Sequence, residues 1–149
     1  MKYQDLIKNG IKLAKSGKLI EAENNFKKAI EKDLSLTDSY INLANVYIMQ
    51  KKNDEAIDLL KSYLIDISFN QNIINHFWKI SQNFNSEEKF FEIISSYEDS
   101  KTLNKKELAY IYYIHGRYYA KLNDMNCQLN ILKSLYFLMN YSRTVTSIL

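Results

Sequence analysis

A chain of 149 residues, 46% hydrophobic and 25% charged, is long enough to bury a core and too apolar for a disordered polypeptide. Its net charge of +3, from 20 basic and 17 acidic residues, falls far short of the clustered excess that marks a nucleic-acid surface. Proline is absent and glycine occurs three times, too few chain breakers for an all-β or a parallel α/β protein, so the composition points to helices.

Hydrophobic spacing predicts helices near 3–16, 19–32, 37–50, 54–66, 71–83, 86–99, 105–122 and 125–140. In the first, Leu6, Gly10 and Leu13 recur at helical spacing. A polar break at Ser16–Gly17–Lys18 follows, and Ala22, Phe26 and Ala29 then recur at i, i+4, i+7. The next pair repeats this order as Tyr40, Ala44, Tyr47, Lys51, Ala56, Leu60 and Tyr63. Every member is moved on by the same interval, as from Leu6 to Tyr40 and from Ala29 to Tyr63. Ser35 stands three residues before Asp38 and Asn104 three before Glu107, each a capping-box-like helix start. Asn53 and Asn85, each followed by acidic residues, mark the start of second helices.

The third pair is looser, with Ile74, Phe77, Trp78, Phe90, Ile94 and Tyr97. Trp78 and Phe90 replace the small residues expected where two helices meet, which predicts a splayed or rotated hairpin. The fourth pair recovers the pattern in Tyr112, Gly116 and Tyr119, a turn at Asn123–Asp124, then Cys127, Ile131 and Ser134. A frame one residue later, through Gln128, Leu132 and Leu135, fits nearly as well.

Each unit is thus two amphipathic helices joined by a tight turn. Gly10 opposite Ala22, and Ala44 opposite Ala56, would let the helices of a hairpin approach closely; a mid-helix glycine costs about 1 kcal/mol against alanine and calls for such a packing reason. Phe26 and Leu60 would fill space toward the next unit. One hairpin cannot bury both its faces, so neighbours must stack.

The order of small residue, large apolar residue, turn, alanine, large apolar residue and small residue, at a period of about 34 residues, resembles the tetratricopeptide repeat family. The resemblance covers about residues 3 to 140 and is strongest in the first half. The proline that usually closes each unit is replaced by Leu34, Ser68 and Thr102. It implies an all-α protein: a right-handed superhelical array of about four antiparallel helix-turn-helix repeats. The units would be about 3–34, 37–68, 71–102 and 105–140, in a single domain with a tail at 141–149.

In such an array the first helix of each unit lines a concave groove that binds segments of other proteins. The groove-facing residues would be Ile7, Ile11, Ala14 and Lys15 in the first unit, and Ile41, Asn42, Asn45, Ile48 and Met49 in the second. In the third they would be Asn75, His76, Lys79 and Asn83, and in the fourth Tyr113, Arg117, Ala120 and Lys121. That order runs from apolar to basic and polar, so the expected ligand is a peptide with an apolar and an acidic segment. Asn42, Asn45 and Asn75 would bond its backbone, and Lys79, Arg117 and Lys121 its carboxylates. The isoleucines are equally readable as ordinary packing, and the lysines as solvated side chains.

Chaperone-binding members of the family grip a C-terminal carboxylate through Lys, Asn and Arg at set positions. Ile7, Ile11 and His76 occupy three of those positions and only Asn42 matches, so chaperone tails are poor ligands. The tyrosines Tyr110, Tyr112, Tyr113, Tyr118 and Tyr119 span a full helix circumference, so part of the set must face a groove or an interface.

A single cysteine, Cys127, excludes an intrachain disulfide and fits a reducing compartment. Spacing alone leaves a Cys–His pair open, but a helical cysteine reads first as a small core residue. No metal cluster, phosphate loop or cofactor motif appears, and no apolar run reaches membrane length. The chain reads as a non-catalytic, cytoplasmic binding scaffold. Alternatives are the N-terminal module of a larger glycosyl- or sulfotransferase-type enzyme and, less favoured, an RNA-binding helical repeat. After Tyr136–Phe137–Leu138–Met139 no amphipathic cap is evident. The C-terminal end would dimerise, continue into a larger protein, or be capped by residues 144–149.

Overall fold

A computed structural model describes residues 2–98 and 103–121, together with Met125, Leu129 and Leu132. The described residues form helices α1 (Tyr3–Lys15), α2 (Leu19–Lys32), α3 (Thr37–Met49), α4 (Asn53–Asp66), α5 (Gln71–Asn83), α6 (Glu87–Glu98) and α7 (Lys105–Lys121). Met125, Leu129 and Leu132 are helical. The rest of the expected eighth helix, including Cys127, Ile131 and Ser134, and the tail lie outside the described residues. Two compact units divide the chain, Met1–Ile93 and Ile94–Leu149.

The repeat period is written into the backbone. Tyr3, Thr37, Gln71 and Lys105 begin α1, α3, α5 and α7 at one constant interval, and Leu19, Asn53 and Glu87 begin α2, α4 and α6 at the same interval. The turns repeat as well. Gly17, Lys51 and Asn85 hold left-handed φ angles of 78°, 64° and 52°. Beyond each, the next amide reaches back to the carbonyl five residues earlier: Lys18 to Leu13, Lys52 to Tyr47 and Ser86 to Ser81, at 3.0, 2.8 and 2.8 Å. This is the left-handed helix stop, which satisfies the orphan carbonyls at the end of each first helix.

Two of the four expected helix starts, Asn53 and Asn104, stand where the sequence puts them, and two differ. Asn104 does form the box, accepting from the Lys106 and Glu107 amides while its own amide donates to Glu107 Oε2 at 2.9 Å. Ser35 does not: its amide and hydroxyl both donate to Asp33 Oδ1, and Leu36 stands at the α3 N-cap. Asn53 is the first residue of α4, behind Lys52, and Asn85 is the left-handed turn residue rather than a cap. The side-chain cap of α5 is Asn70, whose Oδ1 accepts from Asn72 and Ile73.

Within the Met1–Ile93 unit, consecutive helices from α1 to α5 pack against one another, and α3 also touches α1 and α5. The first helices of successive hairpins therefore form one continuous wall. Phe26 joins Ala22 of α2 to Leu43 and Val46 of α3 in a core cluster, binding the first hairpin to the second. Gly10 faces the Phe26 ring more tightly than the sequence pairing with Ala22 implied: a Cβ there would stand 2.8 Å from Phe26 Cε1 and Cζ. In the third hairpin the bulk of Trp78 and Phe90 is accommodated ring against ring, with centroids 5.1 Å apart, and Phe77 lies edge-on to Phe90 at 5.1 Å.

Polar side chains tie the hairpins together as well. Thr37 Oγ1 lies 3.1 Å from the Tyr63 hydroxyl, and the Asn70 amide donates to the same Oγ1 at 3.1 Å. Tyr63 in turn meets Tyr40 edge-on, with centroids 4.8 Å apart. One small network thus pins the starts of α3 and α5 to α4.

Candidate partner-binding surface

The wall of α1, α3 and α5 carries the residues expected to face a groove, and it does not present them equally. Ile7, Ile11 and Ala14 are half-buried and pack against the cluster around Phe26 and Leu43, so much of the apolar end of the wall is engaged in stacking. Lys15 is exposed beside them. On α3, Ile41, Asn42 and Ile48 are half-buried while Asn45 and Met49 are exposed. On α5, Asn75, Lys79 and Asn83 are exposed and His76 is half-buried.

The two asparagines of α3 behave differently. Asn42 turns its amide back onto the Asp38 carbonyl at 2.8 Å, a bond within its own helix. Asn45 reaches across to the next hairpin, its Oδ1 lying 2.9 Å from Nε2 of His76. Burial holds the His76 imidazole below the usual histidine range, and the Lys79 ammonium one turn away adds to the effect. The ring is neutral at physiological pH. Oδ1 can only accept, so Nε2 carries the hydrogen and Nδ1 keeps its lone pair.

In the Ile94–Leu149 unit, Tyr113 and Arg117 are exposed on α7, and the Arg117 guanidinium carbon lies 5.8 Å from the Tyr113 ring centroid. That cation–π contact engages Arg117 with its own helix. Lys121 is the last residue of α7. Ile111, Ile114 and His115 are buried, whereas Tyr110, Tyr112, Tyr118 and Tyr119 are half-buried, so the tyrosines do divide between faces.

Sequence reasoning missed a charged node at the hairpin turns. Glu23 of α2 binds Lys27 at 2.7 Å, Gln50 at 3.0 Å and Lys52 at 3.5 Å, the last two from the following hairpin. Burial opposes its charge, but hydrogen bonds from Lys27 and Gln50, with the charges of Lys27 and Lys52, prevail and hold the carboxyl below its ordinary range. Both lysines also flank the Tyr47 ring, at 5.8 and 5.6 Å from its centroid. Beside this node the turns enclose an open cleft of about 570 Å³ lined by Leu19, Ile20, Gln50 and Lys52 among others. Only the spacing of 27 residues between Glu23 and Gln50 linked them in sequence, and it follows no helical or repeat period.

Among the described residues no cluster of His, Cys, Asp or Glu has the makings of a metal site, and no helix is long and apolar enough to cross a membrane.

Helical hairpins that recur at one constant interval, with a continuous wall of first helices, define a helical-repeat architecture. The repeat is the tetratricopeptide fold. The crystal structure of a tetratricopeptide repeat protein from Parabacteroides merdae ATCC 43184 is similar, with a TM-score of 0.55 over 88% of this chain and 20% sequence identity. The match spans 51% of that protein, so this chain corresponds to about half of its length. No family model and no curated protein matches the sequence.

Proposed function

We propose that the protein is a non-catalytic cytoplasmic scaffold that captures a segment of a partner protein on the wall of α1, α3 and α5. The carrying observation is that α3 touches both α1 and α5, so exposed polar groups of three hairpins lie along one wall. The side chains offered there are Lys15, Asn45, Met49, Asn75 and Lys79, all exposed. Ile7, Ile11, Ile41 and Ile48 supply apolar edges. This balance favours a segment with an apolar side chain and an acidic residue, the latter drawn to Lys79 and Lys15. On α7, Tyr113 and Arg117 offer a separate patch of the same chemical kind.

The test is panning of random linear peptides on the immobilised full chain, followed by binding assays with the enriched sequences. Lys79→Glu and Lys15→Glu are exposed substitutions that leave the core untouched, and each is expected to weaken acidic peptides by about tenfold. Enriched peptides that bind both variants as tightly as the wild type would move the site elsewhere.

A second contact, with another copy of the chain, is supported by Met125, Leu129 and Leu132, which are 78%, 52% and 61% exposed. Sedimentation of the wild type beside Leu129→Glu checks it: a monomer in both cases removes the reading.

A further inference from the structure

We infer that Asn45 and His76 act together as a two-point clamp on the backbone of an extended peptide, and that protonation of His76 releases it. The inference rests on the proposed binding wall and specifies what one part of it recognises.

The two residues lie 31 apart in sequence, on the first helices of adjacent hairpins, and meet through the single bond between His76 Nε2 and Asn45 Oδ1. That bond decides which atoms remain. Asn45 keeps both hydrogens of its amide nitrogen, and neutral His76 keeps the Nδ1 lone pair. Neither residue has another hydrogen-bond partner among the described residues. A donor and an acceptor are therefore held in fixed relation at the junction of two hairpins.

This is the complement of one residue of an extended chain, whose N–H and C=O point to the same edge, as in a strand pair. The peptide carbonyl would accept from Asn45 Nδ2, and its N–H would donate to His76 Nδ1. Such recognition is indifferent to the side chain at that residue. Neighbouring residues would supply specificity through Lys79, one turn beyond His76. Asn42 cannot serve in the same way, because its amide is spent on the Asp38 carbonyl.

A proton on Nδ1 converts the acceptor into a donor and sets it against the peptide N–H. It also places a positive charge near Lys79 in a half-buried position, which the free protein already resists. The α3 group bonded to the ring is the uncharged Asn45, and Lys79 of α5 is the charged group acting on it. The clamp is closed when His76 is neutral and opens on acidification.

The probe is the set of linear peptides enriched on the full chain at neutral pH. Their affinity for wild type, His76→Gln, His76→Phe and Asn45→Ala is measured between about pH 7.5 and about pH 5, with thermal melting of each variant as a folding check. Loss of one hydrogen bond corresponds to a weakening of about three- to tenfold. Wild-type binding is expected to weaken by that factor on acidification. Glutamine offers both an N–H and a C=O without titrating, so His76→Gln is expected to bind more weakly than wild type but more tightly than His76→Phe at neutral pH, and to lose that part of the pH response. His76→Phe and Asn45→Ala are expected to be weak at every pH. If wild type and His76→Gln share one pH profile, or His76→Phe binds normally, the clamp is overturned while the wall stands. If no peptide is enriched, or Lys79→Glu has no effect on those that are, the wall itself fails and the clamp with it.

Discussion

Phe26 presses its ring edge against Gly10 so closely that a methyl group on that glycine would stand 2.8 Å from Cε1 and Cζ. Phe26 is itself 1% exposed and wedged against Ala22, Leu43 and Val46, so it has no open space to yield into. Gly10→Ala gains about 1 kcal/mol of helix propensity but incurs an overpacking cost of about 1–3 kcal/mol. A net loss of about 1 kcal/mol is expected in urea unfolding. Phe26→Leu should make Gly10→Ala neutral or favourable on that background, a coupling that a double-mutant cycle reads directly.

The three left-handed turns give a second prediction. A side chain with a Cβ costs about 1–2 kcal/mol in that conformation, least for asparagine. Lys51 is exposed and holds φ at 64°, so Lys51→Gly is expected to stabilise the chain by about 0.5–1 kcal/mol despite glycine's greater unfolded entropy. Gly17→Ala, at φ 78° with open space around it, should destabilise through the backbone alone. Chemical denaturation of the two variants should move the midpoint in opposite directions.

The Glu23 carboxylate binds groups of two hairpins at one node, through Lys27, Gln50 and Lys52. Its lysine partners are half exposed, so screening limits the node, and Glu23→Gln is expected to cost about 1 kcal/mol. The carboxyl is lowered from 4.5, so its contribution is complete above that pH and is lost as pH falls through the folded value. Thermal melting from neutral to acid should show wild type and Glu23→Gln converging at the acid end.

His76 gives linkage of the same sign at higher pH. Its folded pKa is lowered from 6.5, so the folded state binds fewer protons than the unfolded chain below that pH. Stability is therefore unaffected above 6.5 and declines as pH falls toward the folded value, below which the loss is complete. His76→Gln should remove this component. A melting curve for the variant that tracks the wild type through the window would contradict the burial of the imidazole.

Much of the hairpin architecture could be read from neighbouring residues. The displacement of Leu6, Gly10 and Ala22 onto Tyr40, Ala44 and Ala56 anticipated helix starts that recur at the same interval, Tyr3 to Thr37 and Leu19 to Asn53. Asn104 and Glu107 announced their capping box because both partners sit within one turn. Ser35 misled for the same local reason: Asp33, two residues before it, competes for the hydroxyl. The candidate surface was less legible. Helical spacing left Ile7 and Ile11 equally readable as groove-facing or as ordinary packing, because how far they are covered depends on the seating of α2 and α3 around Phe26.

What the sequence determined by itself was thus the period, the helices and the turns, because spacing and backbone preference act over a few residues. The tertiary structure decided which side chains meet between hairpins: Asn45 with His76, Glu23 with Gln50, and Asn70 with Thr37, pairs separated by 31, 27 and 33 residues. Those contacts are fixed by how one helix seats against the next. A shift of a single residue in that seating would change each pairing while leaving every local pattern in the sequence unaltered.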